Sequence, residues 1–285
     1  MKDVAIAARV SLKGTRSAGV RRQYSGTAGR TENCQVGVLL AYAPRYGRAL
    51  IDRELYLPRS WAQDPEGCRA AGIPQDAEFT SKPRQAQAMI ARVVAAGVPF
   101  AWFTADETYG QARWLQAWLE ERDIWYVMAI RCSDTVTTPE GERRADGLIA
   151  AVPARSWQTI SAGAGAHGPR EYHWARVPVR TGRKRGRGHW LLARRSISDP
   201  AEIAYYACYG PRRSSTADLA WAAGSRWHVE ECLQHAKGEA GLDQYQVRTW
   251  RAWYARITLS MLALAWLAAS KAQAVKRGSV PATPV

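Results

Sequence analysis

Apolar and polar positions alternate in a few short blocks whose periods name their structures. Residues 34–42 and 48–57 are β-rich runs joined by a short turn containing Pro44 and Gly47, a pattern that predicts a hairpin. Residues 82–96, KPRQAQAMIARVVAA, repeat apolar positions at helical spacing and stop at Gly97, so a helix is expected there. Residues 100–103 form an apolar run that halts at Asp106 and a Gly110 turn, the signature of a short buried strand. A helix over 112–122 and a strand over 125–130 complete an alternating order.

The pattern changes on either side of this block. Residues 14–24 are rich in Gly, Ser and Arg and read as a turn between strands. Residues 133–210 contain the alternating run YHWARVPVR, the basic cluster RTGRKRGRGHW and the apolar run HWLLARRSI, and read as a mainly β insertion. Trp174 and Trp190 flank the cluster and are expected in the core. Residues 248–276 predict a long final helix exposing Arg248, Arg251, Arg256 and Lys271, with Trp253, Leu262 and Trp266 packed inward. Its apolar run from Ile257 is 13 residues long, shorter than a bilayer span needs, and is expected as a buried core helix. The tail GSVPATPV is expected to be disordered.

Composition adds a partner. The 285 residues carry 40 Lys plus Arg against 25 Asp plus Glu, a net charge of +15 that favours a polyanion such as DNA. The five cysteines, at 34, 68, 132, 208 and 232, contain no Cys-x-x-Cys pair, which argues against zinc and for reduced thiols in the cytoplasm.

Candidate chemistry sits in two places. Arg226, Glu230 and Lys237 are spaced four and seven apart, so on a helix they share a stripe, within about 40° of one another. Asp106 stands at the end of the predicted strand, where a carboxylate serves as a helix N-cap or, with a second carboxylate, as a ligand for a divalent ion. A solvated helix face is the bland alternative for the stripe.

These residues, with the segments VRRQYSGTAGRTENCQVGVLLAY, RALIDRELYLP, GVPFAWFTADETYG and EECLQHAKGEAGLDQYQVRTW, resemble the DDE transposases of bacterial insertion sequences. The last motif of those enzymes is a Tyr, Arg, Glu, Lys pattern; the Tyr position falls here on Ala223. Their first catalytic Asp corresponds to about Ile6, ahead of the Lys13 and Gly14 pair. The nearest acid is Asp3, three positions away and therefore on the opposite strand face, expected to be an exposed group beside a frayed terminus.

The resemblance implies an RNase H-like mixed α/β sheet flanked by helices, with residues 1–132 beginning the core, 133–210 inserted, 211–272 completing it, and 273–285 a tail. It implies Mg²⁺- or Mn²⁺-dependent cleavage and strand transfer, with Asp106 and Glu230 as catalytic metal ligands and Arg226 and Lys237 on the DNA backbone. Arg183, Lys184, Arg185 and Arg187 are candidates for phosphate contact on an exposed turn. The implied partners are double-stranded DNA at transposon ends, target DNA and further copies of the chain, in the bacterial cytoplasm at the nucleoid, with no membrane. The missing first Asp and the absent preceding helical region suggest an N-terminally truncated copy that is impaired in cleavage; the alternative is a non-catalytic DNA-binding remnant.

Overall fold

A computed structural model describes residues 3–8, 17–25, 30–44, 47–165, 168–181 and 184–277. In chain order the elements are β1 (Asp3–Ala8), β2 (Arg21–Ser25), β3 (Arg30–Cys34), β4 (Val36–Ala43), β5 (Ala49–Tyr56), α1 (Arg59–Ala62), α2 (Pro65–Ala70) and α3 (Lys82–Ala95). They continue with β6 (Trp102–Ala105), α4 (Glu107–Gly110), α5 (Arg113–Glu121), β7 (Trp125–Ile130), β8 (Thr135–Thr138), β9 (Gly141–Arg144) and α6 (Ala145–Ala150). The remainder are β10 (Gln158–Gly165), β11 (Gly168–Thr181), β12 (Arg187–Arg195), β13 (Ile203–Pro211), α7 (Thr216–Ser225), α8 (Trp227–Ala240) and α9 (Trp250–Lys276). The fold is mixed α/β. Two compact units divide the described residues, one between 3 and 5 and between 99 and 228, the other between 6 and 98 and between 229 and 277.

The first unit is built on a sheet in the order β10-β11-β12-β13-β7-β6-β1. β1, β6 and β7 run parallel, and β13 then joins β7 antiparallel, with Tyr206 opposite Ala129. All four residues of β6 are buried, as a strand covered on both faces requires. One sheet face is closed by α7: Trp174, Trp190, Leu192 and Tyr206 pack with Leu219, Ala222 and Ala223. Gly224 makes this approach possible, because a Cβ there would lie 2.2 Å from the Ala162 carbonyl oxygen. The other face packs Leu191 and Ala193 on Ala145 and Ile149 of α6. Trp174 is wholly buried and its indole donates to the Ile160 carbonyl at 3.1 Å, so the expectation of core tryptophans holds.

The second unit contains the expected hairpin, β4 against β5 antiparallel with Val38 opposite Glu54. α3 presents Gln85, Ala86, Met89, Ile90 and Val93 inward, the helical period that the sequence carries. Its end is a Schellman turn: Val98 N donates to Val93 O, Gly97 N donates to Val94 O, and Gly97 adopts φ +66°. α9 packs on β5, where the Tyr254 hydroxyl donates to Glu54 at 2.8 Å, and the buried Trp253 indole donates to the Tyr245 hydroxyl at 2.9 Å. Gly37 lies beneath that ring, where a Cβ would come within 2.9 Å.

Three expectations change. Residues 21–24, the end of the segment expected to turn, belong to β2 and pair with β3, because the Gly and Ser that suggested a turn are confined to the residues before them. On α9, Leu262 and Trp266 are 64% and 73% exposed rather than buried. Nine residues separate Trp253 from Leu262, half a revolution at about 100° per residue, so the two cannot share a face. The apolar run from Ile257 is accordingly buried only on one side, at Ile257, Ser260, Met261 and Leu264. The expected disordered tail from Gly278 onward lies outside the described residues.

Candidate functional site

Asp106 directly follows β6 and is the N-cap of α4, its Oδ1 accepting from the Thr108 backbone N–H at 2.9 Å. The half-buried carboxylate keeps a second oxygen for other contacts. Gly110 closes the turn against β7; a Cβ there would lie 1.8 Å from the Ala129 carbonyl oxygen. Tyr109 between them is wholly buried, and burial followed by the nearby Asp106 charge pushes its hydroxyl well above the usual range. Glu107 points to Arg131, 3.9 Å away.

Asp3 corrects the expectation of an exposed, frayed acid. It begins β1, is 0% exposed, and lies opposite Trp102 in parallel register. The strand pairing that buries it comes from β6, which sequence proximity to the terminus does not reveal. The nearby Ser225 hydroxyl donates to Ala222 O at 2.7 Å, and neither Asp3 oxygen has a hydrogen-bond partner. Burial therefore raises its carboxyl to about 7, against weaker opposition from Ser225. Trp102 precedes Asp106 by four strand positions, so Asp3 and Asp106 are roughly 13 Å apart along the strand direction. Two carboxylates sharing an ion must each come within about 2.1 Å of it.

Glu230 lies in the first turn of α8 and Lys237 in its last, both half-buried beside the buried His228, Val229, Cys232, Leu233 and Ala236. Lys237 Nζ is 3.9 Å from Asp243. Arg226 is not within α8. It is the C-cap of α7 with helical dihedrals, φ −57° and ψ −32°, at the junction where the Ser225 hydroxyl bonds back to the preceding turn. His235 is a surface residue and pairs with Glu239 at 2.8 Å.

The basic cluster splits. Arg183 lies outside the described residues. Lys184 and Arg185 are exposed, with Lys184 Nζ donating to Glu121 O at 2.8 Å. Arg187 belongs to β12 and makes a two-point ion pair with Asp123, its Nε 2.7 Å from Oδ1. Asp123 also accepts from the Tyr209 hydroxyl at 2.9 Å, and the Arg187 bonds hold its carboxyl below the usual range. Asp123 adopts φ +57° to present itself there.

One feature had no sequence signal. A cavity of about 430 Å³ in the first unit is lined by Arg113, Gln116, Glu120, Asp134, Arg180 and His189, among others. Burial would raise the Glu120 carboxyl, but bonds from His189 and Tyr126 and the charge of Arg180 keep it lowered. The cavity's lining residues come from α4, α5, β7, β8, β11, β12, β13 and the loop after β7, a convergence that only the tertiary fold creates.

Among the described residues no group of three or more His, Cys, Asp or Glu side chains is placed to hold a metal ion. Ile occupies position 6, and Asp3 and Asp106 stand too far apart to share an ion, so these two described carboxylates do not form the paired Asp set that two divalent ions require. The family model described as DDE superfamily endonuclease matches residues 8–186, a span that includes Asp106 and the basic turn and ends before Glu230. No curated protein matches the chain.

Proposed function

Since this chain belongs to the DDE superfamily endonuclease family, we propose that it is an insertion-sequence transposase in class whose metal-dependent cleavage is impaired and whose DNA binding is retained. The family is nuclease-like and its transposases use divalent ions. In the proposed assignment Asp106 and Glu230 are the surviving carboxylates, Arg226 and Lys237 accompany them toward the DNA backbone, and the exposed turn at Lys184 and Arg185 adds phosphate contacts. Arg187 contributes less directly, by holding that turn to Asp123. The proposed fold is RNase H-like, supported by the parallel β1, β6 and β7 and the β4–β5 hairpin.

The observation that carries the reading is the register of Asp3 with Trp102, which removes the nearest substitute for the first carboxylate. A net charge of +15 supports retained binding to a polyanion in the bacterial cytoplasm.

The test is nicking of supercoiled plasmid and of a labelled duplex with Mg²⁺ or Mn²⁺. The wild-type chain should bind DNA without nicking it. Ile6→Asp should gain metal-dependent nicking, and adding Asp106→Ala or Glu230→Ala should abolish the gain. Wild-type nicking that is lost on Asp106→Ala would overturn the impairment; failure to bind DNA would overturn the class.

A further inference from the structure

The outward face of α9 is a seam. Ala255, Leu259, Leu262, Trp266 and Ala269 are spaced four, three, four and three apart and are all exposed, with Leu259 at 61%, Leu262 at 64% and Trp266 at 73%. This is the alternation with which one helix meets another, an average period of 3.5. The seam lies opposite the residues that bind α9 to its own unit, Trp253, Ile257, Ser260, Met261 and Leu264. An a/d-type stripe thus remains after the core has been satisfied.

We propose that this seam is a self-association surface, and that its occupant is α9 of a second copy of the chain. Charge argues for a like partner at this place. At +15, two copies repel over most of their surface, yet no residue between Arg256 and Lys271 is charged. A two-fold axis crossing near Leu262 lets Leu259 and Trp266 flank the contact, while the crossing angle of packed helices separates the basic ends. The small Ala255, Ala263 and Ala269 let the backbones approach. Area argues likewise. The seam exposes roughly 500 Å², so pairing two copies removes about 1,000 Å² from water, the lower bound of a specific interface.

α9 is also long and apolar enough to cross a membrane by length and composition. Its inner side is nevertheless tied down. Trp250 N donates to Ala71 O at 2.8 Å, the Tyr254 hydroxyl donates to Glu54 at 2.8 Å, and an Arg256 N–H donates to Gly241 O at 2.7 Å. Spanning a bilayer would break all of these.

The inference does not depend on cleavage, and its test is separate. Sedimentation velocity of the full chain, freed of nucleic acid and followed over the micromolar range, should show a species of twice the 31.6 kDa chain mass. Raising salt should strengthen the association, because the mutual repulsion is screened. Leu262→Glu and Trp266→Gln should each weaken it at least tenfold with circular dichroism and thermal transition retained, while Val94→Gln, an exposed apolar site on α3, leaves it intact. A chain that stays monomeric, a dimer indifferent to both seam variants, or a monomer that floats with vesicles of anionic phospholipid would each overturn the proposal.

Discussion

Asp3 stands directly opposite Trp102 across the parallel β1–β6 pair, with both carboxylate oxygens buried and without hydrogen-bond partners. Its carboxyl, raised from 3.8 to about 7 by burial, keeps its proton in the folded chain where the unfolded chain has released it. The folded state therefore binds more protons between those values, and stability falls as pH rises from about 4 to about 7. The full loss is on the order of 4 kcal/mol. Asp3→Asn should flatten this dependence and raise the thermal midpoint at pH 8; denaturation midpoints across pH 4 to 8 check it, and an unchanged slope would refute the assignment.

The basic cluster should separate into two behaviours. Arg185→Ala, at the exposed turn, should reduce the slope of log K against log salt for duplex DNA by about one with little change in stability. Arg187→Ala should instead lower stability by about 1–2 kcal/mol, since it strips the Asp123 carboxylate of its two-point guanidinium partner while the Tyr209 hydroxyl stays bonded to it. Fluorescence anisotropy over a salt series, paired with urea unfolding, distinguishes the two.

Gly110→Ala places a methyl group against the Ala129 carbonyl oxygen, so the turn after Asp106 must shift. A cost of about 3 kcal/mol or more is expected, together with loss of whatever Asp106 does. Gly147→Ala is the control: it lies in α6 with open space at the Cβ position and should stabilise by about 0.5–1 kcal/mol. Thermal melts of the two variants should move in opposite directions.

Trp253→Ala should cost about 3–5 kcal/mol, through a cavity over Gly37 and loss of the donor to Tyr245. Trp266→Gln, on the opposite face, should leave the unfolding transition of the dilute chain within about 0.5 kcal/mol of wild type. Equal effects would mean that the two faces of α9 were assigned wrongly.

Local rules were enough for much of this protein. The hairpin of β4 and β5, the helix α3 with its stop at Gly97, and the strand that ends at Asp106 were legible because periodicity, turn chemistry and capping act over a few neighbouring residues. The family was legible too, because ordered motifs survive in the one-dimensional text. The outward face of α9 is also fixed by local geometry, because nine positions from Trp253 to Leu262 are half a helical revolution.

What the sequence determined by itself was the class of elements, the order in which they occur, the basic charge and the absence of an Asp at position 6. Tertiary structure alone decided that Asp3 is buried rather than exposed, that Arg187 is bound to Asp123, and that Arg113, Glu120, Arg180 and His189 converge on one cavity. Each is a contact between residues tens of positions apart. Burial and ion pairing depend on which strands become neighbours, and that is settled when the whole sheet closes over its core, not by any residue's own neighbours in the chain.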